Sequence, residues 1–113
     1  MSLSVTQHTP DFCTAGQLAP EDMAALAAHG IRTVINNRPD GEGGPDQPPS
    51  DAIEHAARAA GMDYHYIPVI SGQVTQAQVD AMASTVASAS APVLAFCRSG
   101  ARSTSLWAMG LQT

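Results

Sequence analysis

Lysine is absent from this 113-residue chain. Its five basic residues are all arginines (Arg32, Arg38, Arg58, Arg98 and Arg102), set against ten acids for a net charge of −5. With no basic stripe and aromatics at only 4%, nucleic acids and anionic membranes are not expected as partners. Cysteine is scarce too. Cys13 and Cys97 lie in dissimilar settings, which argues against a disulfide framework. No apolar run approaches the length of a membrane span and no charged-then-apolar leader opens the chain, so the expected compartment is cytoplasmic. The four histidines show no paired ligand spacing, and neither a metal nor another cofactor is expected. Each histidine is expected as a surface or satisfied core residue, and His65, between Tyr64 and Tyr66, is the one worth mutating, because strand ends approach the site.

What is present is one run near the C-terminus, Val93-Leu94-Ala95-Phe96-Cys97-Arg98-Ser99-Gly100-Ala101-Arg102-Ser103. Pro92 to Phe96 is a short apolar stretch of β-formers bounded by proline and a glycine-containing turn, which predicts a buried strand. From Arg102 onward, apolar residues at helical spacing with no proline predict a helix. A cysteine between strand and helix faces converging backbone amides and the positive end of the helix dipole. Such a setting favours a thiolate, and cysteines so placed titrate anywhere from ~3.5 to 7.5. Gly100 permits the tight reversal, and the amides of Arg98, Ser99, Gly100, Ala101 and Arg102 form the anion cradle. The Arg102 fork suits an oxyanion, Arg98 stands beside it, and the Ser103 hydroxyl is placed to cap the helix and to donate to sulfur. A lone cysteine after a strand is ordinarily a small buried hydrophobe. That description fits Cys13, which has no basic neighbours.

The length suits one domain over residues 1–113. Phe12 to Leu18 reads as an edge strand or hairpin. Pro20-Glu21-Asp22 opens a helix that ends at Gly30. Thr33 to Asn36 is a strand, Ser50 to Ala60 a helix, and Tyr64 to Val69 a strand. Thr75 to Ala89 is a helix with Thr75 and Gln78 as its capping box. Alternating strands and helices imply an α/β fold with a mainly parallel sheet covered by helices on both faces. Sites in such sheets lie at the carboxyl ends of strands. Cys97 is at one such end, and the Gly/Pro-rich loop 37–49 follows another, so that loop is either site-flanking or a mobile linker. Within it Arg38 is a candidate extension of the anion site or a surface ion-pair partner, and Asp40 a candidate general acid or a surface turn residue. The last helix stops abruptly at Gly110-Leu111-Gln112-Thr113, and the sequence leaves open whether a C-terminal extension or fusion domain follows.

The cysteine loop, the stretch Thr33-Val34-Ile35-Asn36-Asn37-Arg38-Pro39-Asp40, the opening Asp11-Phe12-Cys13-Thr14-Ala15-Gly16-Gln17-Leu18 and the tail Ser105-Leu106-Trp107-Ala108 together resemble the phosphatase-like domain of the beta-lactamase hydrolase-like family. The resemblance covers nearly the whole chain. It implies a cysteine-phosphatase-like fold of the dual-specificity type, and a possible partner in a persulfide dioxygenase of metallo-beta-lactamase fold. Tyrosine and dual-specificity phosphatases place five residues between cysteine and arginine, whereas Arg98, Ser99, Gly100 and Ala101 make four here. A six-residue Cys-Arg-Ser-Gly-small-Arg loop is similar to that of rhodanese sulfurtransferases. Where dual-specificity phosphatases carry their general-acid aspartate, this chain reads Val69-Ile70-Ser71-Gly72. The expectation from these departures is a sulfurtransferase that takes sulfane sulfur from an anionic donor such as thiosulfate or glutathione persulfide, through a Cys97 persulfide. The alternatives are a phosphatase with Cys97 as nucleophile and Arg102 as phosphate clamp, and a non-catalytic module that binds oxyanions or senses oxidants through Cys97.

Overall fold

In the computed structural model, which describes residues 4–111, short strands and helices alternate along the chain. The strands are β1 (Val5–Thr9), β2 (Phe12–Ala15), β3 (Thr33–Asn36), β4 (Asp63–Tyr66) and β5 (Val93–Phe96). The helices are α1 (Met23–Ala28), entered through a 3-10 turn at Pro20–Asp22, α2 (Ser50–Ala59), α3 (Gln76–Ser88) and α4 (Ala101–Gly110). Gln112 and Thr113, on which the expected stop of the last helix falls, lie outside the described residues.

The strand order is β1-β2-β5-β3-β4. β2, β5, β3 and β4 run parallel, and β1 turns back antiparallel onto β2. This corrects one expectation. Of the two alternatives for Phe12 to Leu18, the edge strand fails and the hairpin holds in part: β2 stops at Ala15, is one arm of an antiparallel hairpin with β1, and is flanked by β1 and β5. The edge is β1, whose Val5-Thr6-Gln7-His8-Thr9 holds a single aliphatic residue and leaves its first three positions exposed. The strand predicted from Tyr64 to Val69 stops at Tyr66, since Pro68 has no N–H for a ladder.

Alternation along the strands feeds two cores. Cys13, Ala15, Val34, Leu94 and Phe96 point to α1 and α2, where Met23, Leu26, Ile53 and Ala57 close over them. Phe12, Ile35, Val93 and Ala95 point the other way, to Val79 and Met82 of α3 and Leu106 of α4. Because β5 lies between β2 and β3 and its residues are buried on both faces, the loop after it emerges at the middle of the sheet.

Leu94, fully buried in the centre of β5, tests this placement. Leu94→Ala is expected to lower stability by about 2–5 kcal/mol, and Leu94→Met by under about 1.5 kcal/mol, read as urea midpoints at constant m-value.

Candidate active site

Three loops meet at the carboxyl ends of β2, β5 and β3. The residues after β2 brace the cysteine loop through its backbone: Cys97 N–H donates to Ala15 O at 3.4 Å and Gln17 N–H to Arg98 O at 3.2 Å. Contact is close enough that a Cβ on Gly16 would stand 3.1 Å from Arg98 O, and one on Gly100 3.3 Å from Ala15 O. Gly100 also has φ of +93° as the N-cap of α4, so glycine is required there on both grounds.

The reversal at Gly100 turns its N–H onto Cys97 Sγ at 3.1 Å. Cys97 is 1% exposed, and that burial pushes its thiol up. The Ser103 and Ser99 amides, the Ser103 hydroxyl and the Gly100 amide outweigh it, and the thiol sits below its ordinary value. One of these donors has a rival acceptor. Ser103 Oγ donates to Asn37 Oδ1 at 2.8 Å, and a hydroxyl proton serves one acceptor at a time, so the amides carry the thiolate in this geometry. Nor is Ser103 a helix cap. It is buried in the first turn of α4, and Gly100 is the cap residue.

Cys97 lies in a cleft of about 720 Å³ with Arg38, Glu42, Gly43, Ile70, Ser71, Arg98, Ser99, Ala101 and Arg102 around it. Three guanidiniums face one carboxylate in a chain of net charge −5. Arg102 is held by Glu42, with Nη1 to Oε2 and Nη2 to Oε1 both at 3.0 Å, and by Val69 O at 2.8 Å. Its Nε is buried without a hydrogen-bond partner. Arg38 Nε donates to Glu42 Oε1 at 2.9 Å and its Nη1 to Gln17 Oε1 at 3.0 Å. Arg38 therefore both lines the cleft and pairs with a carboxylate. Hydrogen bonds from Arg102, ahead of those from Arg38, hold the Glu42 carboxyl below its ordinary range.

Loop 37–49 is thus site-flanking, and Glu42 is the residue in it that the sequence reading missed. Asp40, the candidate acid, is placed elsewhere. Its Oδ1 accepts the Ser50 N–H at 2.8 Å at the start of α2 and its N–H donates to Tyr66 Oη at 2.8 Å, so it is a structural cap rather than a cleft group. His65 is exposed on edge strand β4 and is not among the cleft residues. Arg98 is exposed on the rim, while Ser99 and Ala101 shape the cleft wall. Cys13 is buried with its thiol donating to Val93 O at 3.6 Å, and desolvation pushes it up to about 11. Among the described residues no cluster of His, Cys, Asp or Glu could hold a metal, and no helix is long and apolar enough to cross a membrane.

The family model for the phosphatase-like domain of beta-lactamase hydrolase-like protein matches residues 4–113. Beta-lactamase hydrolase-like protein of Agrobacterium fabrum is 43% identical over 96 residues, which are 85% of this chain and 22% of that protein. Its counterpart in Xylella fastidiosa is 40% identical over 95 residues, again 22% of its length. The chain thus spans about a fifth of these curated relatives. Among solved structures, a candidate phosphatase from Neisseria meningitidis superposes with a TM-score of 0.83 at 32% identity, covering 90% of this chain and 72% of that one. TpbA of P. aeruginosa, solved in complex with pTyr, gives a TM-score of 0.71 at 17% identity over 95% of this chain and 61% of its own, a likeness of fold alone.

The two cysteines should separate cleanly by pH. Thiolate is the reacting form, so alkylation of Cys97 by iodoacetamide is expected to rise with pH through a midpoint below that of an ordinary thiol. Cys13 should stay unmodified until pH approaches about 11. Site-resolved mass spectrometry reads both profiles.

Proposed function

The chain belongs to the phosphatase-like domain family of the beta-lactamase hydrolase-like proteins, and from that membership and the Cys97 cradle we propose that it is a cysteine-dependent phosphoester hydrolase. The fold is that of the cysteine phosphatases. The observation that carries the reading is the buried Cys97 sulfur under the Gly100 amide, beside an Arg102 whose Nε is unpartnered. The Cys97 thiolate attacks phosphorus, the P–O bond breaks with its electron pair on the leaving oxygen, and a phosphocysteine forms. Water then attacks phosphorus, the S–P bond breaks with its pair on sulfur, and phosphate leaves. Arg102 Nε and the loop amides stabilise the equatorial oxygens in both steps.

Proton supply distinguishes this site. Glu42 is the one carboxylate among the residues lining the cleft, and the guanidinium of Arg102 keeps it ionised. It positions Arg102 and cannot protonate a departing alkoxide at neutral pH. Substrates whose leaving group is itself a stable anion, such as aryl phosphates, fit this cleft best.

Sulfur transfer remains as a second reading, on one observation: four residues rather than five separate Cys97 from Arg102. A persulfide at Cys97 would need the same amides, and its donors release stable anions without an acid. The family comparisons favour phosphoryl chemistry over it. A persulfide dioxygenase working beside this domain belongs to that second reading.

Wild type and Cys97→Ser, each supplied with p-nitrophenyl phosphate or with thiosulfate, decide between the two. The expected result is Cys97-dependent phosphate release and no sulfur on the protein. A gain of one sulfur on Cys97 without phosphate release would transfer the assignment to sulfurtransferase. Within the phosphatase reading, Glu42→Gln should lower kcat/KM by about 10–100-fold through misplacement of Arg102. Aryl phosphates should exceed alkyl phosphates in kcat/KM by about 10²-fold or more, the contribution of a missing general acid.

A further inference from the structure

Arg38 is only 9% exposed, yet its side chain reaches the cleft. Its backbone N–H is held by Asn36 Oδ1 at 2.9 Å, and two of its three side-chain nitrogens are pinned, Nε on Glu42 Oε1 and Nη1 on Gln17 Oε1. Nη2, with two N–H donors, has no hydrogen-bond partner among the described residues. Nor is the charge of Arg38 fully met. Glu42 Oε1 also accepts from Arg102 Nη2 at 3.0 Å, so one carboxylate serves two guanidiniums that are each about nine-tenths buried.

Space over that free nitrogen is kept by Gly43. A Cβ there would stand 2.7 Å from Arg38 Nη2 and 3.2 Å from its Cζ. Gly41 and Gly44 in the same loop have φ of +79° and +84°, but Gly43 lies outside the left-handed region, so glycine serves room rather than backbone at this position. The loop does not drift into the space. Gly43 N–H donates to Gln47 Oε1 at 2.6 Å, and Gln47 Nε2 to Pro39 O at 2.9 Å. We propose that Arg38 Nη2, in the room left by Gly43, is a second oxyanion-binding position, and that the substrate carries a further carboxylate or phosphate beside the group that Cys97 attacks. Arg102 serves the reacting group under the proposed chemistry, and Glu42 holds the two guanidiniums apart and oriented. This inference rests on the reading of the cleft as an anion site around Cys97.

Protection of Cys97 from iodoacetamide, at fixed pH and ionic strength, tests it without turnover. Inorganic phosphate probes one anion position and pyrophosphate two. In the wild type, pyrophosphate should protect at about tenfold or more lower concentration than phosphate, the worth of an added hydrogen bond between charged groups. Gly43→Ala keeps every charge and an allowed backbone, and its methyl displaces only the far end of the Arg38 side chain. It should bring the two concentrations to within about threefold of each other, with the phosphate value itself moving by less than about threefold. Arg38→Gln should do the same.

Arg98→Gln separates a position from bulk charge, because Arg98 lines the same cleft but is exposed on its rim. It should leave the pyrophosphate preference in place. A preference that Arg98→Gln abolishes as fully as Arg38→Gln overturns the proposal, and so does equal protection by the two anions in the wild type. A Gly43→Ala protein that loses phosphate and pyrophosphate protection in equal measure also overturns it, since Arg38 would then hold the reacting group itself. Should Arg38→Gln not fold, Gly43→Ala decides alone. The hydrolase reading stands or falls separately, on phosphate release from p-nitrophenyl phosphate: protection without a pyrophosphate preference removes the second position and leaves that reading intact.

Discussion

Convergence of backbone N–H groups on one sulfur is the constraint that the rest of the molecule serves. Amides carry no side chain and do not titrate, so their direction is set entirely by the path of residues 97–103. That path needs a residue at φ +93° in position 100 and a neighbour close enough to hold the turn. Both come from glycine. Gly100 makes the reversal, and Gly16 lets the segment after β2 lie against Arg98. The result is a site in which the Cys97 sulfur is stabilised by fixed dipoles rather than by an adjacent base.

The sheet explains why such a loop can be rigid. β5 is the middle strand, with β2 and β3 in parallel register on either side, so the chain leaving Phe96 is flanked by two loops that leave the sheet in the same direction. One braces the cysteine loop through its backbone. The other delivers Arg38 and Glu42, and Glu42 then fixes the guanidinium of Arg102 across the cleft. Gln17 ties the two loops together through Arg38. An arginine held on both terminal nitrogens has little rotamer entropy left to lose on binding an anion.

The local parts of this arrangement were legible in the sequence. The apolar run to Phe96, the glycine three residues after Cys97 and the periodic helix behind it carry short-range signals, and from them Cys97, the loop amides and Arg102 fall on one strand-loop-helix unit, as in the structure. The α3 capping box is similarly local, with Thr75 and Gln78 three residues apart. What escaped is non-local. Glu42 meets Arg102 across 60 residues, and Asn37 meets Ser103 across 66. No spacing rule links such pairs, and only the strand order brings them together. Asp40 lies apart from the cleft for the same reason: its partner is the first amide of α2, ten residues on. β1 escaped because an exposed polar edge strand lacks the alternation by which strands are recognised.

The local loop length and the wider fold point to different chemistries, and the cleft shows why they need not conflict. Phosphoryl and sulfur transfer through cysteine share a ground state: a thiolate in an amide ring with an arginine facing an anion. They diverge in what departs. A phosphatase acting on alkyl esters needs a proton donor, whereas sulfane donors and aryl phosphates release anions that survive without one. Here Glu42 is kept ionised by the arginine it orients, and Asp40 is committed to a helix. Under either proposed chemistry the physical demand on the substrate is therefore the same, an anionic head on a leaving group that needs no acid.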